Sequence, residues 1–240
     1  SGAIMRAKVF INDRSIFTND PRGTTYLGNV VSHELGHFLG LGHSEVKGSS
    51  MFYKLFSGQH TLSSDDNMAI WSLYKTVDSV GTIKGKVIGG PKTIPIFAAH
   101  VQLISLETGK VFAGVFSDAN GEFLFEKIPL GGHYYIYITN TKTKENLPRY
   151  YYPARADYCN SRAKYRGSFY QSCFNEDRGK PVGISVDKDD EEVDVGALTI
   201  RCSLDVSEDY FQSRNPSGID LDVIDDYGNI VFGKSPLNPT

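Results

Sequence analysis

Residues 33–43 read H-E-L-G-H-F-L-G-L-G-H, three histidines and a glutamate in one short run. At about 100° per residue a helix sends His33 and His37 out of the same face, so both imidazoles can meet one metal ion. Glu34 stands beside the first of them, where a carboxylate can reach a metal-bound water without ligating the metal. Gly40 lets the backbone leave the helix at positive φ, and the turn that follows can return His43 as a third nitrogen ligand. Three histidines and a water make an open zinc site, whose chemistry is hydrolysis by an activated water. Iron also accepts three nitrogens, but a water-activating glutamate needs no redox metal, so one catalytic Zn²⁺ is the expected cofactor. The rival reading is a structural zinc or a metal-free remnant, which would need neither an open coordination position nor a neighbouring base.

The elements that must position these side chains follow from the apolar spacing. Val30, Val31, Leu35, Phe38 and Leu39 recur at three-and-four intervals, which predicts a helix over 25–39 with Gly40 as its stop. Ser63 can cap a second helix, in which Asp66 takes the third position favoured by the terminal dipole and Met68, Ile70, Trp71, Leu73 and Tyr74 supply the apolar side. Ahead of both, Ala7 to Ile11 reads as one short strand.

From about Thr82 the texture turns to strand: IKGKVIG, HVQLISL, KVFAGVF, EFLFEKI, HYYIYITN and finally VDVGALTI, parted by GP, ETG, DANG and PLGG turns. Such a series predicts a β-sandwich. The fold class is therefore α+β, and the expected organisation is a first domain over 1–80, a sandwich over 81–202 interrupted by an insertion at about 146–180, and a tail over 203–240 that is an extra strand or the start of a further domain. A length of 240 residues suits two modest cores.

With the motif in place, the first region resembles the metzincin zinc peptidases, and within them the matrixins. His43-Ser44 resembles the pair that closes the matrixin zinc signature, S-S-M-F-Y at Ser49 to Tyr53 resembles the Met-turn, and L-S-S-D-D and I-W-S-L-Y at Leu62–Asp66 and Ile70–Tyr74 resemble the C-terminal helix. The resemblance implies zinc ligands His33, His37 and His43, general base Glu34 and a structural Met51 beneath the metal. It also implies that Phe52, Tyr53 and Lys54 line the wall of the pocket that takes the substrate side chain after the cleaved bond. Tyr53 departs from the proline usual there, so no side-chain preference is drawn. The matched residues make about half of a matrixin catalytic domain, so an upstream segment is expected to be absent, supplied separately or replaced. The implied activity is that of a secreted zinc endopeptidase acting on protein or peptide substrates. The alternative is a non-catalytic binding or adhesion protein whose zinc site is a scaffold and whose sandwich binds protein or polysaccharide.

The second region resembles transthyretin-like or carboxypeptidase-regulatory-like sandwiches through I-K-G-K-V, S-D-A-N-G-E-F-L-F and V-D-V-G-A-L-T-I. Asp118 and Asn120-Gly121 read as a hairpin turn with calcium as the alternative, and the acidic run from Asp187 to Asp194 as a solvated edge that discourages strand pairing with a cation or basic-partner site as the alternative; calcium is possible but unsupported in this chain. Tyr150, Tyr151 and Tyr152 read as packing for the insertion, with Arg149 and Arg155 left in water, the alternative being a contact patch for polysaccharide or protein. Cys159 and Cys173 lie in an insertion poor in apolar residues that a disulfide would help to order, the alternative being buried or free thiols; such a bond implies an oxidising, extracellular setting and leaves Cys202 either buried or paired elsewhere. A net charge of −3 gives no global field for nucleic acid, and no apolar run is long enough for a transmembrane helix.

Overall fold

The apolar spacing that ends at Leu39 forms helix α1 (Leu27–Phe38), and the segment opened by Ser63 forms α2 (Ser64–Tyr74). This computed structural model describes residues 6, 8–12, 14–74, 79–89, 94–140, 164–165, 168–171, 181–200, 202–203, 223–224 and 230–231. The chain divides into two units, Ser1–Lys75 and Thr76–Thr240.

Helix α1 stops where the sequence provides glycine. Gly40 sits at φ +91, its N–H bonds the His37 carbonyl at 2.9 Å and the Leu41 N–H reaches back to the Gly36 carbonyl at 3.0 Å. This pair of bonds satisfies two of the carbonyls a helix end leaves open, and a side chain at position 40 would strain it. Helix α2 begins with a reciprocal cap: the Asp66 N–H donates to Ser63 Oγ at 3.2 Å while the Ser63 N–H donates to Asp66 Oδ2 at 2.8 Å. The two helix ends meet through Tyr74, whose hydroxyl donates to the Leu39 carbonyl at 2.7 Å. Of the strand expected over Ala7 to Ile11, the described residues 8–11 form none, because an extended run becomes a strand only when a neighbour takes its backbone groups.

The second unit is all β. Its strands are β1 (Val80–Gly89), β2 (Ile94–Pro95), β3 (Ala99–Ser105), β4 (Val111–Phe116), β5 (Glu122–Pro129), β6 (His133–Asn140), β7 (Lys164–Tyr165), β8 (Ser168–Phe169), β9 (Gly183–Ser185), β10 (Glu192–Ile200), β11 (Cys202–Ser203), β12 (Val223–Ile224) and β13 (Ile230–Val231). In one sheet β1 is central, parallel to β10 and antiparallel to β2 and β5. In the other the order is β4-β3-β6-β8, with β9 also on β6. The pairs β7 with β11 and β12 with β13 stand apart from these sheets.

Alternation fills the interior: Ile83 and Val87 of β1, Val101 and Leu103 of β3, Ile136 and Ile138 of β6 and Ile200 of β10 are all buried. The turn after Asp118 is built as its residues suggest, with Asp118 Oδ1 accepting from the Asn120 and Glu122 N–H groups at 2.8 Å each. It joins β4 to β5, which belong to different sheets, so it carries the chain across the interior instead of closing a hairpin. Turn chemistry fixes a reversal and leaves open which sheet receives the next strand. Arg149, the three adjacent tyrosines, Arg155, Cys159 and Cys173 lie outside the described residues. Among the described residues no helix is long and apolar enough to cross a membrane.

Candidate metal centre

The helix spacing of four brings His33 and His37 to one face, with ring centroids 4.7 Å apart. The turn through Gly40 then returns His43 to within 5.2 Å of His33 and 4.9 Å of His37. One ligand atom from each ring lies within 4.8 Å of the others, so the three form a group able to hold a metal ion. His33 is buried while His37 and His43 are exposed, which leaves the cluster open to solvent on one side.

Two of the rings are fixed by the backbone. His33 Nδ1 lies 2.8 Å from the Ser50 carbonyl, and His37 Nδ1 lies 2.8 Å from the Leu41 carbonyl. A carbonyl can only accept, so each Nδ1 carries the proton and each Nε2 keeps its lone pair for a metal. Desolvation, and after it the charges of His33 and His37, hold the His43 imidazole below its ordinary pKa, while Glu34 pulls the other way. The neutral form that ligation requires is thereby favoured. Three neutral imidazoles with an open side fit a zinc ion by donor type and number.

Met51 lies under this helix, 2% exposed. A Cβ added at Gly36, on α1, would overlap the Met51 sulfur and come within 3.1 Å of its terminal methyl, so the thioether reaches the helix only because that position has no side chain. The turn carrying Met51 is closed by the Phe52 N–H on the Ser49 carbonyl at 3.1 Å and held to the third histidine's neighbour by the Ser44 N–H on the Met51 carbonyl at 2.8 Å.

The residues that secure this turn stand in the sequence only as the start of a helix. Asp66, 1% exposed, accepts from the Ser49 hydroxyl at 2.5 Å, the Ser50 and Met51 N–H groups at 2.9 and 3.3 Å, and both the N–H and hydroxyl of Ser63 at 2.8 Å. Its expected place in the first turn of α2 is correct, but its main work is to tie that helix to the Met51 turn. The adjacent Asp65 accepts from the Ser44 hydroxyl at 2.7 Å and so braces the backbone beside His43. Two consecutive aspartates at a helix start were the visible signal; what they reach is set by tertiary contact.

The expected pocket wall follows Met51 directly. Phe52 is buried, Tyr53 half-buried and Lys54 exposed. The rings of Phe52 and Tyr53 stack at 4.3 Å, Phe56 lies 5.1 Å from Phe52, and Lys54 Nζ sits 5.5 Å over the Tyr53 ring. Glu34 is half-buried on α1, one residue beyond the buried histidine.

Comparison with known proteins bears on this segment. The matrixin family model matches residues 4–75. Karilysin from Tannerella forsythia is 44% identical over 46 residues, covering 19% of this chain and 10% of that protein. The hatching enzyme of Paracentrotus lividus is 37% identical over 73 residues, covering 30% of this chain and 12% of that protein. The matched stretch thus spans about a tenth of either curated relative. Among solved structures, BcpA, the major pilin subunit of Bacillus cereus, aligns with 51% of this chain and 30% of its own at 19% identity and a TM-score of 0.30, a likeness too slight to carry function. Residues 4–75 match the matrixin zinc-peptidase family and carry a three-histidine group able to hold a metal ion, and an all-β region follows them.

Proposed function

We propose that the chain belongs to a secreted zinc endopeptidase, with His33, His37 and His43 as ligands and Glu34 as general base. The observation that carries this is the convergence of three imidazoles, open on one side, with a carboxylate one residue after the buried ligand. A zinc ion held there supplies Lewis acidity, lowering the pKa of bound water towards about 7 and polarising a carbonyl. Glu34 takes a proton from the attacking water as its oxygen bonds to the scissile carbonyl carbon. The same carboxyl then delivers that proton to the leaving nitrogen as the C–N bond breaks. Met51 and the carbonyls of Ser50 and Leu41 keep the ligand rings in place, and Phe52, Tyr53 and Lys54 border the substrate side chain beyond the cleaved bond. The β unit is read as a transthyretin-like sandwich that positions the peptidase on its substrate.

The test is cleavage of an unfolded protein by the zinc-loaded chain beside Glu34→Ala. The expected result is equal zinc content and hydrolysis by the parent chain alone. Equal turnover by both would remove Glu34 from the mechanism. Zinc bound with no cleavage by either would mean that the upstream segment is needed for hydrolysis or that the metal site is a scaffold for binding.

A further inference from the structure

The loop that follows Met51 hangs from two buried amides. Asn29, fully buried, lies four residues before His33 and so on the ligand stripe of α1. Its Nδ2 donates to the Phe56 carbonyl at 2.9 Å and to the carbonyls of Gly23 and Thr24 at 3.2 and 3.3 Å. Its Oδ1 accepts from the His60 N–H at 2.9 Å and faces His60 Nδ1 at 3.0 Å. Gln59, 2% exposed, works from inside the loop: Oε1 accepts from the Phe56 N–H at 2.7 Å. Its Nε2 donates to the carbonyls of Lys54, Phe52 and Ser49 at 2.9, 3.3 and 3.4 Å.

Phe56 is therefore held at both backbone groups, its N–H by Gln59 and its carbonyl by Asn29. Its ring packs on Phe52, which stacks on Tyr53, so the aromatic wall inherits its place from these amides. An apolar side chain at Asn29 would withdraw the amide donor from the Phe56 and Thr24 carbonyls, and one at Gln59 from the Phe52 and Lys54 carbonyls, and the loop would move to hydrate them. The metal ligands have their own supports, in the carbonyls of Ser50 and Leu41, and these do not pass through Phe56.

We propose that Asn29 and Gln59 are positioning residues that fix the loop over 52–60 against the metal-binding helix and thereby set which substrate side chain the site admits. The proposal rests on the peptidase reading, but its test needs no turnover. The full chain is loaded with Co²⁺, whose visible spectrum reports both coordination and ligand binding. It is titrated with acetohydroxamate, which has no side chain, and with peptidyl hydroxamates bearing methyl, isobutyl or benzyl groups.

Asn29→Leu and Gln59→Met are expected to keep the Co²⁺ spectrum and to bind acetohydroxamate within about twofold of the parent. The spread of Kd across the three side chains is expected to shrink by at least about tenfold. A parent chain that binds the three alike, or variants that retain the parent's spread, would overturn the proposal. Loss of Co²⁺ binding in both variants would overturn it too, by showing that the amides support the metal helix itself. If only Asn29→Leu fails to load, Gln59→Met decides alone, because every backbone partner of Gln59 lies within 49–56. The peptidase reading stands or falls separately, on the Glu34→Ala comparison.

Discussion

In the β unit the described interior is mainly apolar: Ile83, Val87, Val101, Leu103, Ile136 and Ile200 are fully buried beside the buried polar His100, Gln102 and Ser117, and among the described residues the large exposed apolar side chains are Ile94, Leu106 and Leu124. The peptidase segment inverts this balance. Its buried apolar residues are Leu41, Val46, Met51, Phe52 and Met68, while Phe10 at 85% and Ile16 at 90% exposure head a longer series on its surface. What it buries instead are Asn29, Gln59, Asp65 and Asp66. The contrast teaches that a small segment short of apolar burial can still hold a demanding geometry, because hydrogen bonds to buried carboxylates and amides are directional where hydrophobic contact is not. The two units should therefore break by different substitutions.

The largest effect is expected from Asp66→Ala. It takes the acceptor from four donors of Ser49, Ser50 and Ser63, while the Met51 N–H keeps Ser49 Oγ, at a cost to the peptidase segment of about 3–5 kcal/mol. Trp71 on α2 is the single tryptophan of the chain, so urea unfolding followed by its fluorescence reads this segment alone. The midpoint should fall sharply, while the far-UV circular dichroism change that remains after this segment has unfolded, that of the β unit, keeps its own. An unchanged tryptophan midpoint would mean that the Met51 turn stands without Asp66, and the contrast between the units would lose its main support.

The mirror experiment is Leu103→Ala on β3. Truncating a fully buried leucine between β4 and β6 is expected to cost about 2–5 kcal/mol, with the spread set by how far the site collapses. The far-UV transition should move and the tryptophan transition should not. Movement of both would show that the two units unfold as one, which would refute the separation on which the comparison depends.

The same difference explains what could be read before the structure was known. The helix of residues 27–38, its glycine stop and the grouping of His33, His37 and His43 depend on spacings of three to six residues, and local geometry is what a sequence displays. Strands β1, β3, β4, β5, β6 and β10 were legible for the same reason, since alternation is also local. Asn29 and Gln59 were not, because an isolated amide has no period: Asn29 reaches Phe56 and His60 in another part of the chain, and Gln59 takes carbonyls within 49–56 that no spacing marks out. The failed strand over 8–11 and the turn at Asp118 that changes sheets have one cause: propensity specifies a conformation, while a neighbour decides whether it becomes a ladder and in which sheet.

The smallest effect separates the units by pH. Tyr137 on β6 is 4% exposed, and burial pushes its phenol well above the ordinary value of 10.0. Above about pH 10 the unfolded chain gives up this proton while the folded chain keeps it, so the folded state binds more protons and stability falls as pH rises. The contribution is intact below the unfolded pKa and is lost as pH climbs towards the folded one. One phenol gives a slope of about 1.4 kcal/mol per pH unit in that window. Urea unfolding of the β unit between about pH 9 and 12, compared with Tyr137→Phe, should show the variant losing less stability by roughly that slope. Parallel curves would mean that the phenol ionises equally in both states, and that the interior of the β unit beside Phe169 admits water as the peptidase segment's open metal face does.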